Sequence, residues 1–186
     1  MKDDDRKHLR RSIRLHGYDY AAAGGYFIIV VAFRRNCVFM EIGEGTIWLN
    51  ALGEIVREEW FKTARLRLYV ELREEEFVIM PNHVHGIVWI ADDFVGARRR
   101  RAPTEEHYGK PVAGSIPTII CAFKSAVSYR ANHELNIVKI WHRNYYEHII
   151  RNDVDYKHIA NHIATNPENW GDDEENPRNI VAKENR

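Results

Sequence analysis

The chain has 186 residues, 45 % of them hydrophobic, so one domain with a sizeable core is expected and wholesale disorder is excluded. Its 27 Lys and Arg stand against 27 Asp and Glu, which excludes a histone-like or ribosomal type of basic coat. Local positive charge in a groove is still enough to hold nucleic acid.

Two cysteines, Cys37 and Cys121, are too few for a disulfide scaffold or an all-cysteine zinc site. The opening MKDDDRKHLRR contains acids and no apolar run, so it does not read as a secretion signal. No stretch approaches the roughly 18 apolar residues of a membrane-spanning helix. A soluble, cytoplasmic protein without a membrane partner is expected.

Residues 1–23 read as a polar arm that ends in the loop GYDYAAAGG. The following Gly25–Phe33 (GYFIIVVAF) is aromatic and β-branched, the signature of a buried strand. Val38–Asn50 reads as a hairpin, with Gly43 and Gly45 at its turn. Asn50 can cap a helix over Ala51–Leu66, in which Leu52, Ile55, Val56, Trp60 and Ala64 form one apolar stripe. Two strands follow, Phe77–Met80 and His83–Ile90, joined tightly at Pro81 and Asn82.

Residues 91–117 lack periodicity and carry the run Arg98, Arg99, Arg100 and Arg101, as expected of a flexible loop. A helix over Thr118–Ala131 would bury Ile119, Ile120, Phe123 and Val127. Val138–Trp141 and Asn144–Ile150 read as extended. Asn152 or Asp153 can cap a last helix that ends near Asn166, because Pro167 disfavours helical geometry before it. Beyond Glu168 the tail is acidic, and a frayed or loosely docked segment is expected over 171–186. Residues 167–186 hold six acids and three bases, which leaves a net charge of +3 on residues 1–166. Strands and helices interleaved with tight strand–strand joins predict an α+β fold, an antiparallel sheet with helices packed on it.

His83 and His85 are two apart in a strand, so both imidazoles face one side and can bind one divalent cation, while Val84 faces the core. On the last helix Asp155, His158, His162 and Asn166 fall near one face, flanked by Ile159 and Ile163. Neither group is specific alone. A helix laid on the sheet would bring them together.

The chain resembles the single-tyrosine HUH transposases, in particular the REP-associated tyrosine transposases and their insertion-sequence relatives. The residues that carry the resemblance are HGYDY, FVIMPNHVHGIVWI, FKSAVSYR and WHRNYYEHIIRNDVDYKHIANHIATNPENW, spread over most of residues 17–170. The resemblance implies a single domain over 24–170, with a ferredoxin-like antiparallel sheet and helices on one side. It also implies Mg²⁺ or Mn²⁺ held by His83, His85 and Asn166, acting on single-stranded DNA hairpins. A helix tyrosine of that family attacks the scissile phosphate, forming a 5′-phosphotyrosine link and freeing a 3′-OH. The cation would stabilise charge on the phosphate, and the covalent link would conserve the phosphodiester for rejoining. Monomer and homodimer are both compatible with this picture.

The nucleophile is where the chain departs from the family. The family pattern YIxxNP reads HIATNP here, so His162 stands at the tyrosine position. Three readings stay open. The protein is a DNA-binding relative without catalysis; or another tyrosine serves, with Tyr156, Tyr145 and Tyr146 as candidates; or His162 itself attacks or binds metal. His158 and His162 form an HxxxH pair whose spacing suits zinc. A zinc-dependent hydrolase is the alternative from another class, with Glu147 and Asp155 as the only nearby bases. For DNA contact the candidates are Arg10, Arg11 and Arg14, with Arg6 and Lys7, on the arm and Arg98–Arg101 in the loop. Tyr145, Tyr146 and Trp141 are candidates for base stacking, although Trp141 fits a core better. His148 is expected on the face of Tyr146, and Lys124 is a weaker candidate for substrate contact.

Overall fold

The structure, a computed structural model, describes residues 15, 17–43, 46–92, 112–173, 175–177 and 179. Strand β1 spans Gly24–Val31, and the hairpin strands β2 and β3 span Met40–Gly43 and Thr46–Leu49. Helix α1 is Ala51–Leu66, followed by β4 (Val70–Glu71), β5 (Phe77–Ile79) and β6 (His83–Ile90). Helix α2 is Ile116–Leu135, β7 is Tyr146–Ile150 and helix α3 is Asp153–Thr165.

Strands β1 and β6 form the centre of an antiparallel sheet, with β7 on the far side of β1. Both β4 and β5 pair with β6, as one edge interrupted by the 3₁₀ turn Glu74–Glu76. With β2 and β3 set apart as their own ribbon, the main elements run β–α–β–β–α–β, the ferredoxin-like order. The α+β expectation holds.

Local chemistry explains the elements. The Asn50 side chain accepts a hydrogen bond from the Gly53 N–H at 2.9 Å, a good helix N-cap, and the Asn152 side chain does the same for Asp155 at 2.9 Å. Helix α2 runs four residues beyond the predicted end and stops at Asn136, which adopts the left-handed conformation (φ 56°) of a helix C-cap.

Alternation along the central strands sorts side chains into two layers. Tyr26, Ile28, Val30, Val84, Val88 and Ile90 join the α1 and α2 stripes in the main core. Phe27 and Ile87 pack on Ile159 and Ile163 of α3 in a second, smaller core. Helix α3 therefore lies on the sheet face opposite α1 and α2. This corrects the expectation of helices on one side. A strand covered on both faces reads as a continuous apolar run, as His83–Ile90 does, and such a run does not reveal a second layer's direction.

A buried carboxylate pins α3 to the sheet edge. Glu76, 1 % exposed, accepts from the Trp89 indole N–H at 2.6 Å, the Tyr156 hydroxyl at 2.8 Å and Arg73 at 3.0 Å. In the main core, Trp60 stacks on Phe77 with ring centroids 4.9 Å apart and lies directly over Gly86. A Cβ at Gly86 would meet Trp60 Cζ2 at 2.4 Å. Gly86→Ala is therefore expected to cost about 1–3 kcal/mol, the usual range for overpacking, read as a lower midpoint in urea unfolding.

Candidate functional site

The second layer carries the chemistry. On β6, His83 and His85 face α3, and both are buried (0 % and 3 % exposed). Their rings stand 4.5 Å apart. From α3, Asn166 closes over them: its Nδ2 lies 3.2 Å from His85 Nε2 and 3.4 Å from His162 Nε2. The His162 ring is 5.1 Å from that of His85 and meets the Phe27 ring edge-on at 6.1 Å. The sheet and the last helix thus bring His83, His85, His162 and Asn166 to one place. His158 is exposed one turn earlier and makes no such approach.

The environment keeps both strand histidines neutral. Burial drives His83 from its ordinary 6.5 down to about 4, with His162 acting in the same direction and Glu175 against it. Burial drives His85 further down, to about 2, helped by His83 and His162. Neutral imidazoles are what metal binding requires. Two of their buried nitrogens, His83 Nε2 and His85 Nδ1, have no hydrogen-bond partner. Buried polar atoms are rarely left so. The donor set of imidazoles and an amide fits a divalent cation.

A further group arrives from the segment after α3. Asp173 places Oδ2 3.6 Å from His83 Nε2, and Trp170 lies 6.0 Å from the same ring. Ligand atoms of His83, His85 and Asp173 lie within 4.8 Å of one another, and no other such trio occurs among the described residues. The segment is held by Arg35, whose Nε donates to Glu175 at 2.6 Å, and by the Asn82 amide, which donates to the Glu175 carbonyl at 2.7 Å. Arg35 itself has a positive φ (57°), uncommon for a residue with a side chain. Of the two expectations for the acidic tail, frayed or loosely docked, residues 170–173, 175 and 176 follow the second, while 174, 178 and 180–186 lie outside the described residues. Trp170, a large ring in a polar stretch, is the signal that could have marked the docking.

Other candidates are placed elsewhere. Tyr146 is half-exposed on the site's face, in one row across the sheet with Ile29 and His85, its ring 6.4 Å from Phe27. Tyr156 is committed to Glu76 at the other end of α3, which also raises its pKa. Tyr145 and Trp141 pack against the main core, with Trp141 5.3 Å from Phe39. Lys124 donates to the carbonyls of His142 and Arg143 at 2.7 and 3.1 Å, and is not near the site. Of the two bases considered for a hydrolase, Glu147 lies opposite Ile28 on the other sheet face, and Asp155 receives His148 at 2.9 Å and the Arg151 N–H at 3.1 Å. Neither of these two therefore stands beside the histidine pair. Arg10, Arg11, Arg14 and Arg98–Arg101 fall outside the described residues. No helix of the described residues is long and apolar enough to cross a membrane.

Comparison with known proteins agrees with this architecture. The fold is similar to that of a REP-associated tyrosine transposase solved bound to a REP hairpin. The TM-score is 0.55 at 21 % identity, covering 86 % of this chain and 75 % of that one, so the likeness is one of fold. In sequence, the chain is 36 % identical over 174 residues to an uncharacterized protein of Haemophilus influenzae (strain ATCC 51907 / DSM 11121 / KW20 / Rd), covering 90 % of this chain and 93 % of that protein. The chain belongs to the same family as that Haemophilus protein. No family model matches it.

The buried histidines predict a pH dependence. Their folded pKa values lie below the unfolded one, so the unfolded chain binds more protons in acid. Their contribution to stability is complete above about pH 6.5 and is lost as pH falls towards about 4 for His83 and lower for His85. The slope is up to about 1.4 kcal/mol per pH unit for each histidine. Urea midpoints measured from pH 7.5 to 4.5 should fall steeply in the natural chain and less so in a His83→Gln, His85→Gln double variant.

Proposed function

We propose that this protein binds hairpin-forming single-stranded DNA and that His83, His85 and Asn166 hold a divalent cation, Mg²⁺ or Mn²⁺, beside the bound strand. The observation that carries this reading is that two buried imidazoles 4.5 Å apart, each with one unpartnered nitrogen, stand against the end of α3, where Asn166 lies 3.2 Å from His85 Nε2. The fold likeness to a transposase bound to a REP hairpin supports the choice of nucleic acid. Bound there, the cation would supply charge neutralisation for a phosphate oxygen.

The chain's own residues then divide the remaining work. Asn82 fixes the His83 ring through a 2.8 Å contact with Nδ1. Asn166 does the same for His85, and its amide can present either oxygen or nitrogen by rotation. His162 stands where a nucleophile would be expected. Attack by its ring nitrogen would form a P–N bond and break the bond to the 3′-oxygen, which leaves with a proton as a 3′-OH. An imidazole reaches less far than a phenol, so this geometry favours retained binding with weak cleavage. A second reading is favoured by Tyr146, whose exposed ring shares the row of His85 and would attack through its hydroxyl oxygen instead.

End-labelled hairpin oligonucleotide, incubated with the protein and Mn²⁺, tests these points. Hairpin binding that weakens steeply with salt is expected, along with little covalent protein–DNA product. His162→Tyr should raise the covalent product at least about tenfold. A natural chain that cleaves well and loses cleavage in Tyr146→Phe would establish the second reading. Absence of hairpin binding at low salt would remove the DNA role altogether.

A further inference from the structure

The carboxylate of Asp173 is not used by the reading above, and its surroundings are unusual. Asn82 donates through Nδ2 to two main-chain carbonyls, of Arg35 at 3.0 Å and Glu175 at 2.7 Å. Carbonyls only accept, so the amide cannot be turned round, and its oxygen must face His83 Nδ1 at 2.8 Å. An amide oxygen also only accepts. His83 therefore carries its proton on Nδ1, and Nε2 presents a bare lone pair.

That lone pair faces Asp173 Oδ2 at 3.6 Å, too far for a hydrogen bond. Nε2 is buried without a hydrogen-bond partner, and the Asp173 side chain is 9 % exposed. Two electron-rich atoms held face to face away from solvent are unfavourable by themselves. A cation between them turns the repulsion into attraction.

We infer that Asp173 is a direct ligand of the divalent cation held by His83 and His85, and that the segment following α3 is thereby part of the metal centre. The inference rests on the metal reading given above and extends it to a residue outside the sheet and the last helix. Two imidazoles, one carboxylate and the Asn166 amide make a set that leaves coordination positions open for other oxygens. The Arg35 and Asn82 contacts to Glu175 are what deliver the carboxylate. Because Asn82 holds both the His83 ring and the Glu175 carbonyl, the two ligands are oriented by one side chain.

Mn²⁺ binding to the full chain without DNA provides the test, read as loss of the free-ion EPR signal and as quenching of Trp170, whose ring is 6.0 Å from that of His83. Asp173→Asn should weaken Mn²⁺ at least about tenfold, since losing even an outer partner of a ligand costs 10–100-fold. Asp172→Asn, one position away on an exposed residue, should leave affinity unchanged. In the natural chain, Mn²⁺ should slow amide hydrogen exchange over 170–176, a readout that does not depend on any variant folding. Equal Mn²⁺ affinity in Asp173→Asn and the natural chain would overturn the inference, as would unchanged exchange over 170–176. His83→Ala separates the two levels. If it abolishes Mn²⁺ binding while Asp173→Asn does not weaken it, only the present inference falls; if it leaves binding intact, the metal reading falls with it.

Discussion

The structure depends on one constraint, the two-residue alternation of β6 with both faces covered. Val84, Gly86, Val88 and Ile90 point into the layer of α1 and α2, and His83, His85, Ile87 and Trp89 point towards α3. A shift of register by one residue would exchange the two sets, burying imidazoles in an apolar core and placing a valine where an imidazole now faces α3. Gly86 guards that register from the other side, because only a residue without Cβ fits beneath Trp60. Packing on one face thus fixes the chemistry on the other.

The two ends of α3 are held differently. Its first turns are pinned by Tyr156 to Glu76 and by Asp155 to His148, both charge-assisted hydrogen bonds. Its middle is held by Ile159 and Ile163 against Phe27 and Ile87. Its last turn meets the sheet through Asn166, 3.2 Å from His85 Nε2, and through the His162 ring, 6.1 Å from that of Phe27. The firm end sets the helix on the sheet, and the other end carries the groups that face the histidine pair. This is the usual division between a rigid scaffold and a responsive site.

Much of this arrangement was legible in the sequence, for identifiable reasons. The helix stripes, the Asn50 and Asn152 caps and the β6 run are local patterns, and each formed where its chemistry placed it. The HxH pair could be read because strand alternation makes spacing equal to geometry. His162 and Asn166 could be set on one helix face, but that this face meets His85 is a tertiary fact that periodicity does not contain. The side of the sheet on which α3 packs was not legible from periodicity, since β6 offers large apolar side chains to both layers, Val84 and Val88 to one and Ile87 and Trp89 to the other. Asp173 was missed because a lone carboxylate in an acidic, aperiodic stretch has no pattern. Only its approach to His83 Nε2, set up by the hydrogen bonds of Arg35 and Asn82 to nearby Glu175, distinguishes it from its neighbours.

The order in which these groups occur along the chain has a consequence for biosynthesis. Synthesis delivers His83 and His85 first, and about 80 more residues must be added before Asn166 appears. At roughly 5–20 residues per second this interval lasts several seconds or more. A nascent chain that has exposed β6 therefore carries two imidazoles without the groups that complete them. The centre closes only when the stretch from 162 to 173 has left the ribosome and folded back. Incomplete chains, including those cut short by a premature stop before residue 162, are left with an open sheet face and half a site. Closure of the cluster is in this way tied to translation reaching residue 173.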